Sequence, residues 1–193
     1  MRIIAGRHKG RALTAPEGRA VRPTSDRARE ALFDILAHGR FDESPVFIDA
    51  QVLDAFAGTG ALGLEALSRG AAHATFIEND RTALAALRAN IAVLHEEKSA
   101  AILPADALHP PRVGRAATLA FLDPPYGDDL AALALTALAA AGWFAPAALV
   151  VVEVAARQNL ATPAGFTLLE ERRYGAARLV FLRFGSVRAS EGA

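Results

Sequence analysis

The stretch Val52-Leu53-Asp54-Ala55-Phe56-Ala57-Gly58-Thr59-Gly60-Ala61-Leu62-Gly63 runs from an apolar strand pattern into a glycine turn and then into a helix that reaches about Gly70. Gly58, Gly60 and Gly63 satisfy G-x-G-x-x-G, which puts small residues where a backbone turns tightly and where a ligand approaches a helix N-terminus. A strand-to-helix turn with no ligand needs glycine too, so the loop alone does not decide. Its neighbours in the chain do: Ala74 to Glu78 is a second short strand with a carboxylate at its end, and Glu78 lies 24 positions after Asp54, where an acid can hold both ribose hydroxyls of a nucleoside. A third stretch, Ala100 to Pro104, leads to Asp106, and the apolar run Ala116 to Leu122 leads to Asp123. Strand ends that carry Asp54, Glu78, Asp106 and Asp123 in turn predict a ligand site at the carboxyl edge of an open parallel sheet.

Working outward, the pattern alternates: strand 51–55, helix 60–69, strand 73–78, helix 80–95, strand 100–104, strand 116–122, helix 128–141, strand 147–153. Such alternation implies parallel crossovers. The end of the chain differs, because 167–173 and 178–184 flank Tyr174-Gly175-Ala176-Ala177 with no room for a crossover helix, so an antiparallel hairpin is expected. At the other end, Arg2 to Ala5 and Arg11 to Ala15 alternate around Gly6 to Gly10 and suggest a two-stranded hairpin. Pro23-Thr24-Ser25-Asp26 then offers N-caps for an amphipathic helix over 27–38. The expected fold is α/β and Rossmann-like, a mostly parallel seven-stranded sheet finished by an antiparallel hairpin, with a small N-terminal hairpin and helix as extension. The expected division is 1–40 for the extension, 41–186 for the main domain and 187–193 for a flexible tail.

Asp123-Pro124-Pro125-Tyr126 suggests the chemistry. An exocyclic amine on a nucleobase has its lone pair delocalised into the ring and becomes a nucleophile when its N–H groups are held by oxygen acceptors. The Asp123 carboxylate and the Pro124 carbonyl supply two such acceptors. Successive prolines fix φ and remove two N–H donors, so the carbonyls point out of a stiff corner, and Tyr126 offers a ring on which a base can stack. A dinucleotide dehydrogenase is the first rival. A pyrophosphate sits badly beside Asp54, whereas S-adenosylmethionine carries no phosphate and has a sulfonium and an ammonium that suit an acidic loop.

With 193 residues and 52% hydrophobic content the chain can bury one sizeable core. It has no cysteine, which excludes disulfides, thiolate metal sites and cysteine nucleophiles. The five histidines lack the spacing of a zinc deaminase, and no metal is expected. No apolar run reaches the ~18 residues of a membrane span, nor does the start read as a signal peptide, so a soluble cytoplasmic protein is expected. Net charge is zero but uneven: residues 1–30 hold eight Lys or Arg against three acids, and 31–193 hold 13 against 18. Arg7, Lys9, Arg11 and Arg22 lie along a stretch too polar and glycine-rich to read as core, and a basic arm of this kind suits phosphate contacts.

Four segments together carry a family resemblance: Met1 to Gly6, Lys9-Gly10-Arg11, Arg22-Pro23-Thr24-Ser25-Asp26-Arg27-Ala28-Arg29-Glu30-Ala31-Leu32-Phe33, and Asp54 to Gly70. With Asp123-Pro124-Pro125-Tyr126 they resemble the RsmD family of class I S-adenosylmethionine-dependent methyltransferases, over most of the chain. The resemblance implies methylation of the N2 amine of a guanine in bacterial 16S ribosomal RNA, within a small-subunit assembly particle and with no membrane partner. It also implies that Asp54, Ala57, Gly58 and Gly60 line the methionine end of the cofactor, that Glu78 holds its ribose and that Asp106 meets the adenine amine. Asp123, Pro124, Pro125 and Tyr126 would hold the target base, and Arg22-Pro23-Thr24 would close over the cofactor or the base. The alternatives are a DNA adenine-N6 methyltransferase, which usually needs a larger target-recognition region, a protein-glutamine methyltransferase, which would show Asn in place of Asp123, and an RNA-binding ribosome-assembly factor that does no chemistry.

Overall fold

A computed structural model describes residues 1–15, 26–38, 41, 46–125 and 129–185, with backbone only for Asp26 and Arg27. Seven strands form one sheet: β1 (Gln51–Ala55), β2 (His73–Glu78), β3 (Ala100–Pro104), β4 (Ala117–Leu122), β5 (Phe144–Ala155), β6 (Phe166–Tyr174) and β7 (Ala177–Phe184). Four helices accompany them: α1 (Asp26–Ala37), α2 (Ala61–Ser68), α3 (Arg81–Leu94) and α4 (Leu130–Ala140). The strand order is β3-β2-β1-β4-β5-β7-β6. Pairing is parallel from β3 through to β5 and antiparallel for β5–β7 and β6–β7.

The central strands are apolar in continuous runs because helices cover both faces. In β1 the pleat sends Val52 to one core and Leu53 and Ala55 to the other, and the same alternation in β4 and β5 separates Leu119, Phe121, Leu149 and Val151 from Ala120, Leu122, Val150 and Val152. Helices α1, α2 and α3 fill the first core with Leu32, Phe33, Leu36, Leu64, Leu67, Leu87 and Ile91. Helix α4 fills the second with Ala131, Ala134, Leu135 and Leu138, its alanines allowing close approach to the sheet. Phe33, fully buried against Phe47 and Phe121 at 6.4 and 5.6 Å between ring centroids, anchors α1. Burial of one such side chain contributes about 1.5–3 kcal/mol.

The expected elements lie where the pattern put them, with shifts at the ends. Strand β5 starts three residues earlier than expected, at Phe144, and its register with β4 shifts between Ala117 and Leu119, near the left-handed Ala147. Gly175, at φ 59°, makes the tight turn between β6 and β7. Helix α1 begins at Asp26, and Thr24 and Ser25 fall outside the described residues. No helix among the described residues is long and apolar enough to cross a membrane.

The N-terminal segment differs from expectation in two ways. It is partly core: Ile3 and Leu13 are buried in the same cluster as Phe121, and Arg29, one of the eight cations counted for the arm, is 2% exposed and donates to the Arg2 carbonyl at 2.5 Å. Its hairpin is reduced to one antiparallel bridge, Arg2 to Ala12, flanked by Ile3 N–H to the Arg11 carbonyl and Leu13 N–H to the Met1 carbonyl. The outward backbone groups go instead to the domain. Ile4 and Ala5 donate to the two oxygens of buried Glu65 at 2.8 and 3.0 Å, Arg7 N–H bonds to the Ser68 carbonyl, and His8 N–H bonds to the Ser68 hydroxyl. A ladder of its own would have left Glu65 without these donors in the core.

Candidate active site

Because β3, β2, β1 and β4 are neighbours in that order, Asp106, Glu78, Asp54 and Asp123 stand side by side along one edge of the sheet. The chain runs outward from β1 to β3 on one side and returns to place β4 on the other, so the sheet reverses its winding between β1 and β4. A crevice at such a switch point is where open α/β sheets take ligands. Leu122 pairs with Ala55 in register, and Asp123 N–H reaches the Ala55 carbonyl at 3.5 Å, which brings the Asp-Pro-Pro corner to the start of the glycine loop.

Asp54 faces α2, on the same side of the pleat as Val52. It is 2% exposed, and its Oδ2 accepts the Gly63 N–H at 2.8 Å. Helix α2 has Gly60 as its N-cap, with no side chain to cap the first turn, and Asp54 satisfies one of those amides from the preceding strand. Burial pushes the Asp54 carboxyl well above the ordinary aspartate range. The Gly63 amide pulls it down, and the charges of Asp123 and Glu78 push it up again. Asp54 thus stands among the charges of two neighbouring carboxylates, Asp123 and Glu78, along this edge.

Glu78 ends β2, and its two oxygens hold three backbone amides. Oε1 accepts from Asn79 and Asp80 at 2.8 and 2.7 Å, and Oε2 accepts from Gly58 at 2.8 Å, with room on that oxygen for a further donor. Asp106 accepts from Leu108 N–H at 2.9 Å and lies 3.0 Å from Nδ1 of His109; the Leu108 amide, then His109, hold its carboxyl below the ordinary range. Asp123 is half-buried, Pro124 buried and Pro125 exposed, while Tyr126 lies outside the described residues.

Within the loop, Ala57 N–H bonds to the Ile77 carbonyl and Gly60 N–H to the Ala57 carbonyl. The glycines have different reasons to be glycine. A Cβ on Gly63 would stand 2.4 Å from the Phe76 ring, so this position serves helix-to-sheet packing, whereas a Cβ on Gly58 would meet nothing within 4 Å and the loop there faces open space. Phe56 takes φ 59°, a strained conformation for a bulky residue, at the point where β1 gives way to the loop. An acceptor-rich edge beside an open loop face fits a ligand with positive charge and hydroxyl or amine donors; it does not suit a pyrophosphate.

Of the predicted arm residues, Lys9 and Arg11 are exposed. Arg7 is half-exposed, and its guanidinium is engaged by Glu96 Oε1 at 2.5 and 2.8 Å, with His8 Nε2 2.6 Å from the same oxygen. Arg22, Pro23 and Thr24 lie outside the described residues. Sequence reasoning missed Asn90, which binds both the arm and the glycine loop; an amide inside the apolar face of α3 was the available signal. It also missed Glu65, whose signal was a lone acid in a helix that is otherwise small and apolar.

The profile of a family described as Conserved hypothetical protein 95 matches residues 1–183. The chain is 42% identical over 177 residues to Ribosomal RNA small subunit methyltransferase D of Escherichia coli strain K12, which covers 91% of this chain and 85% of that protein. It is 38% identical over 179 residues to the protein of the same name from Haemophilus influenzae, covering 91% and 89%. The solved structure of yhhF from Escherichia coli superposes with a TM-score of 0.82 at 40% identity, covering 96% of this chain and 98% of that one. With the motifs, the sheet order and these likenesses in agreement, the chain belongs to the RsmD family and has the class I methyltransferase fold.

Proposed function

We propose that this chain transfers a methyl group from S-adenosylmethionine to the exocyclic N2 amine of a guanine in 16S ribosomal RNA, within an assembling small-subunit particle in the cytoplasm. The coarser part, a methyltransferase that acts on small-subunit ribosomal RNA, is the activity named for relatives 42% and 38% identical over 91% of the chain. The observation that carries the finer part is the position of Asp123 and Pro124 at the sheet's switch point, next to the glycine loop and to buried Asp54.

S-adenosylmethionine, when bound, would supply a methyl group on a sulfonium: the nitrogen lone pair bonds to the methyl carbon, the carbon–sulfur bond breaks with the sulfur leaving as a neutral thioether, and the methylated amine releases one proton to water. The loop of Asp54, Ala57, Gly58 and Gly60 takes the methionine end, with the carboxylates of the strand edge on the side of its cationic groups. Glu78 holds the ribose, its carboxylate kept in place by the Gly58, Asn79 and Asp80 amides. Asp106 receives the adenine amine. The Asp123 carboxylate and the Pro124 carbonyl accept the two N–H groups of the guanine amine and aim its lone pair, Pro125 stiffens the corner, and Tyr126 stacks on the base. Residues 1–40 serve as the RNA-contacting extension of a domain spanning 41–186, with Arg7, Lys9, Arg11, Arg22, Pro23 and Thr24 toward the RNA. Catalysis is then chiefly positioning.

Methyl transfer from radiolabelled S-adenosylmethionine to 16S ribosomal RNA and to unmodified small-subunit particles, with nuclease digestion of the product, tests this reading. N2-methylguanosine is expected. Asp123→Ala should lower turnover by about 10²–10³-fold and leave cofactor affinity within about threefold, because the lost acceptor acts on the reacting amine alone. Label appearing as N6-methyladenine in DNA, or cofactor binding with no transfer to RNA or particle, would sink it.

A further inference from the structure

Strand β5 carries the apolar run Leu149-Val150-Val151-Val152 and then, ahead of Val154, Glu153. A central strand is a costly place for a carboxylate, because little water reaches it. Glu153 is 7% exposed, whereas every other residue from Leu149 to Val154 keeps 2% or less, so it reaches a surface that its neighbours do not. Register says which surface. Leu122 pairs with Val152 in parallel, so the next residues of the two chains, Asp123 and Glu153, stand side by side at about 5 Å, the spacing of adjacent strands. The Asp123 N–H to the Ala55 carbonyl carries the ladder of β4 on by that one residue. Pleat alternation fixes the face: Val52, Phe121 and Val151 belong to one core, and Asp54, Asp123 and Glu153 each lie two positions further along the same segments. The row of acids therefore extends one strand beyond Asp123, and its last carboxylate is the one without a role in the mechanism above.

We propose that Glu153 determines the choice of base by accepting the N1–H of the target guanine, beside the amine held by Asp123 and Pro124; this rests on the methyl transfer to guanine proposed above. Guanine presents N1–H and the two N–H groups of its amine along one edge, three donors in a row. Glu153, the Asp123 carboxylate and the Pro124 carbonyl are three acceptors on adjoining strand ends. Adenine also carries an exocyclic amine, so Asp123 and Pro124 alone do not tell the two bases apart. The difference lies at N1, a donor in guanine and a bare acceptor in adenine. A carboxylate facing N1 bonds the first and meets the lone pair of the second, and a buried group left unpaired in this way rejects the wrong base strongly. Glu153 already has an interaction partner within the chain, but a carboxylate offers about four lone-pair sites, so the base N–H adds to that partner. N1 keeps its proton throughout, and the chemical step is not assigned to Glu153.

The test uses small-subunit particles reconstituted with 16S ribosomal RNA that carries either guanine or 2-aminopurine at the methylated nucleotide. The analogue keeps the 2-amine and has a bare N1. The unsubstituted chain should favour guanine by about 10²-fold or more in kcat/KM. Glu153→Gln offers an N–H to the bare N1 and should cut that preference by about tenfold or more, with affinity for S-adenosylhomocysteine, read by calorimetry, within about threefold of the unsubstituted chain. Intrinsic differences between the two amines divide out when variants are compared. Glu153→Asp keeps the charge but withdraws it by one methylene, and its preference should fall between the other two; it decides the matter if Glu153→Gln does not fold. A purely structural Glu153 would lower the melting temperature and slow both substrates alike. An undiminished preference in the folded variants, or a preference below about tenfold in the unsubstituted chain, overturns the proposal. Absence of transfer to the guanine particle by the unsubstituted chain would instead overturn the functional reading.

Discussion

Two sets of carboxylates lie on this fold and are held in opposite ways. Asp54, Glu78 and Asp106, along the strand edge, take backbone amides no more than 20 positions away: Gly63 for Asp54, Asn79, Asp80 and Gly58 for Glu78, Leu108 for Asp106. Glu65 and Glu96, beneath the N-terminal segment, take partners 60 to 89 positions away, Ile4 and Ala5 in one case and Arg7 and His8 in the other. The first set holds the turns at the strand ends and lines the crevice with carboxyl groups. The second set neutralises its own charge and fastens one part of the chain to another. On the proposed function, the acids of this chain divide between holding a ligand and holding the fold.

That division can be broken most forcefully at Glu65. Its removal by Glu65→Ala strands the Ile4 and Ala5 amides and leaves Arg69, whose Nε sits 2.8 Å from Glu65 Oε1, without that partner in the core. A loss of about 3–5 kcal/mol is expected, read as a fall in urea midpoint with the arm more open to proteolysis. Glu78→Gln should do the reverse, weakening cofactor binding by roughly tenfold or more, since one good charge-assisted bond is worth about 1.5–3 kcal/mol, with the urea midpoint moved much less; isothermal titration and denaturation on the same sample separate the two. If both substitutions affected stability and affinity alike, the division would be wrong.

The smallest effect expected is at Glu96. Burial alone would raise its carboxyl, but hydrogen bonds from His8 and Arg7 outweigh burial and bring it below the ordinary value of 4.5. A depressed acid contributes stability above its unfolded-state value and loses that contribution as pH falls through the folded one. Stability of the native chain should therefore drop more steeply below about pH 4.5 than that of Glu96→Gln. With Arg7 half-exposed and screened, the difference should stay within about 1 kcal/mol, visible in melting curves taken across the acid range. Identical slopes would remove Glu96 from the second set.

The same contrast explains what could be read in the chain. Strand ends, the glycine turn and the Asp-Pro-Pro corner are local patterns, and the acids of the edge were legible because each stands at the end of an apolar run. Parallel crossovers followed from the alternation of strands with helices, whereas the order β3-β2-β1-β4 was visible only in the structure. The N-terminal segment was misjudged because its meaning is long-range: Ile3 and Leu13 look like ordinary residues of a polar hairpin, and only the fold brings Glu65, Ser68 and Asn90 to their neighbours Ile4, His8 and Thr14. Arg29 reads as one more arm cation and is instead buried beneath Arg2. Phe56 gave no hint of its left-handed backbone, since nothing local favours that conformation in phenylalanine.

Strand β7 is the last of the described strands in sequence, yet it lies inside the sheet with β5 on one side and β6 on the other. A ribosome delivers the chain from the N-terminus, so β5 and β6 emerge with no way to reach each other until residues 177–184 have followed. The strand made after both is the one that joins them. Until then β5 exposes an apolar margin of Val150, Val151 and Val152 and must be kept from pairing with the wrong partner. The sheet is thus joined only once β7 has been made, and a nascent chain halted before it would already carry every acid of the crevice on a sheet whose margin is still open.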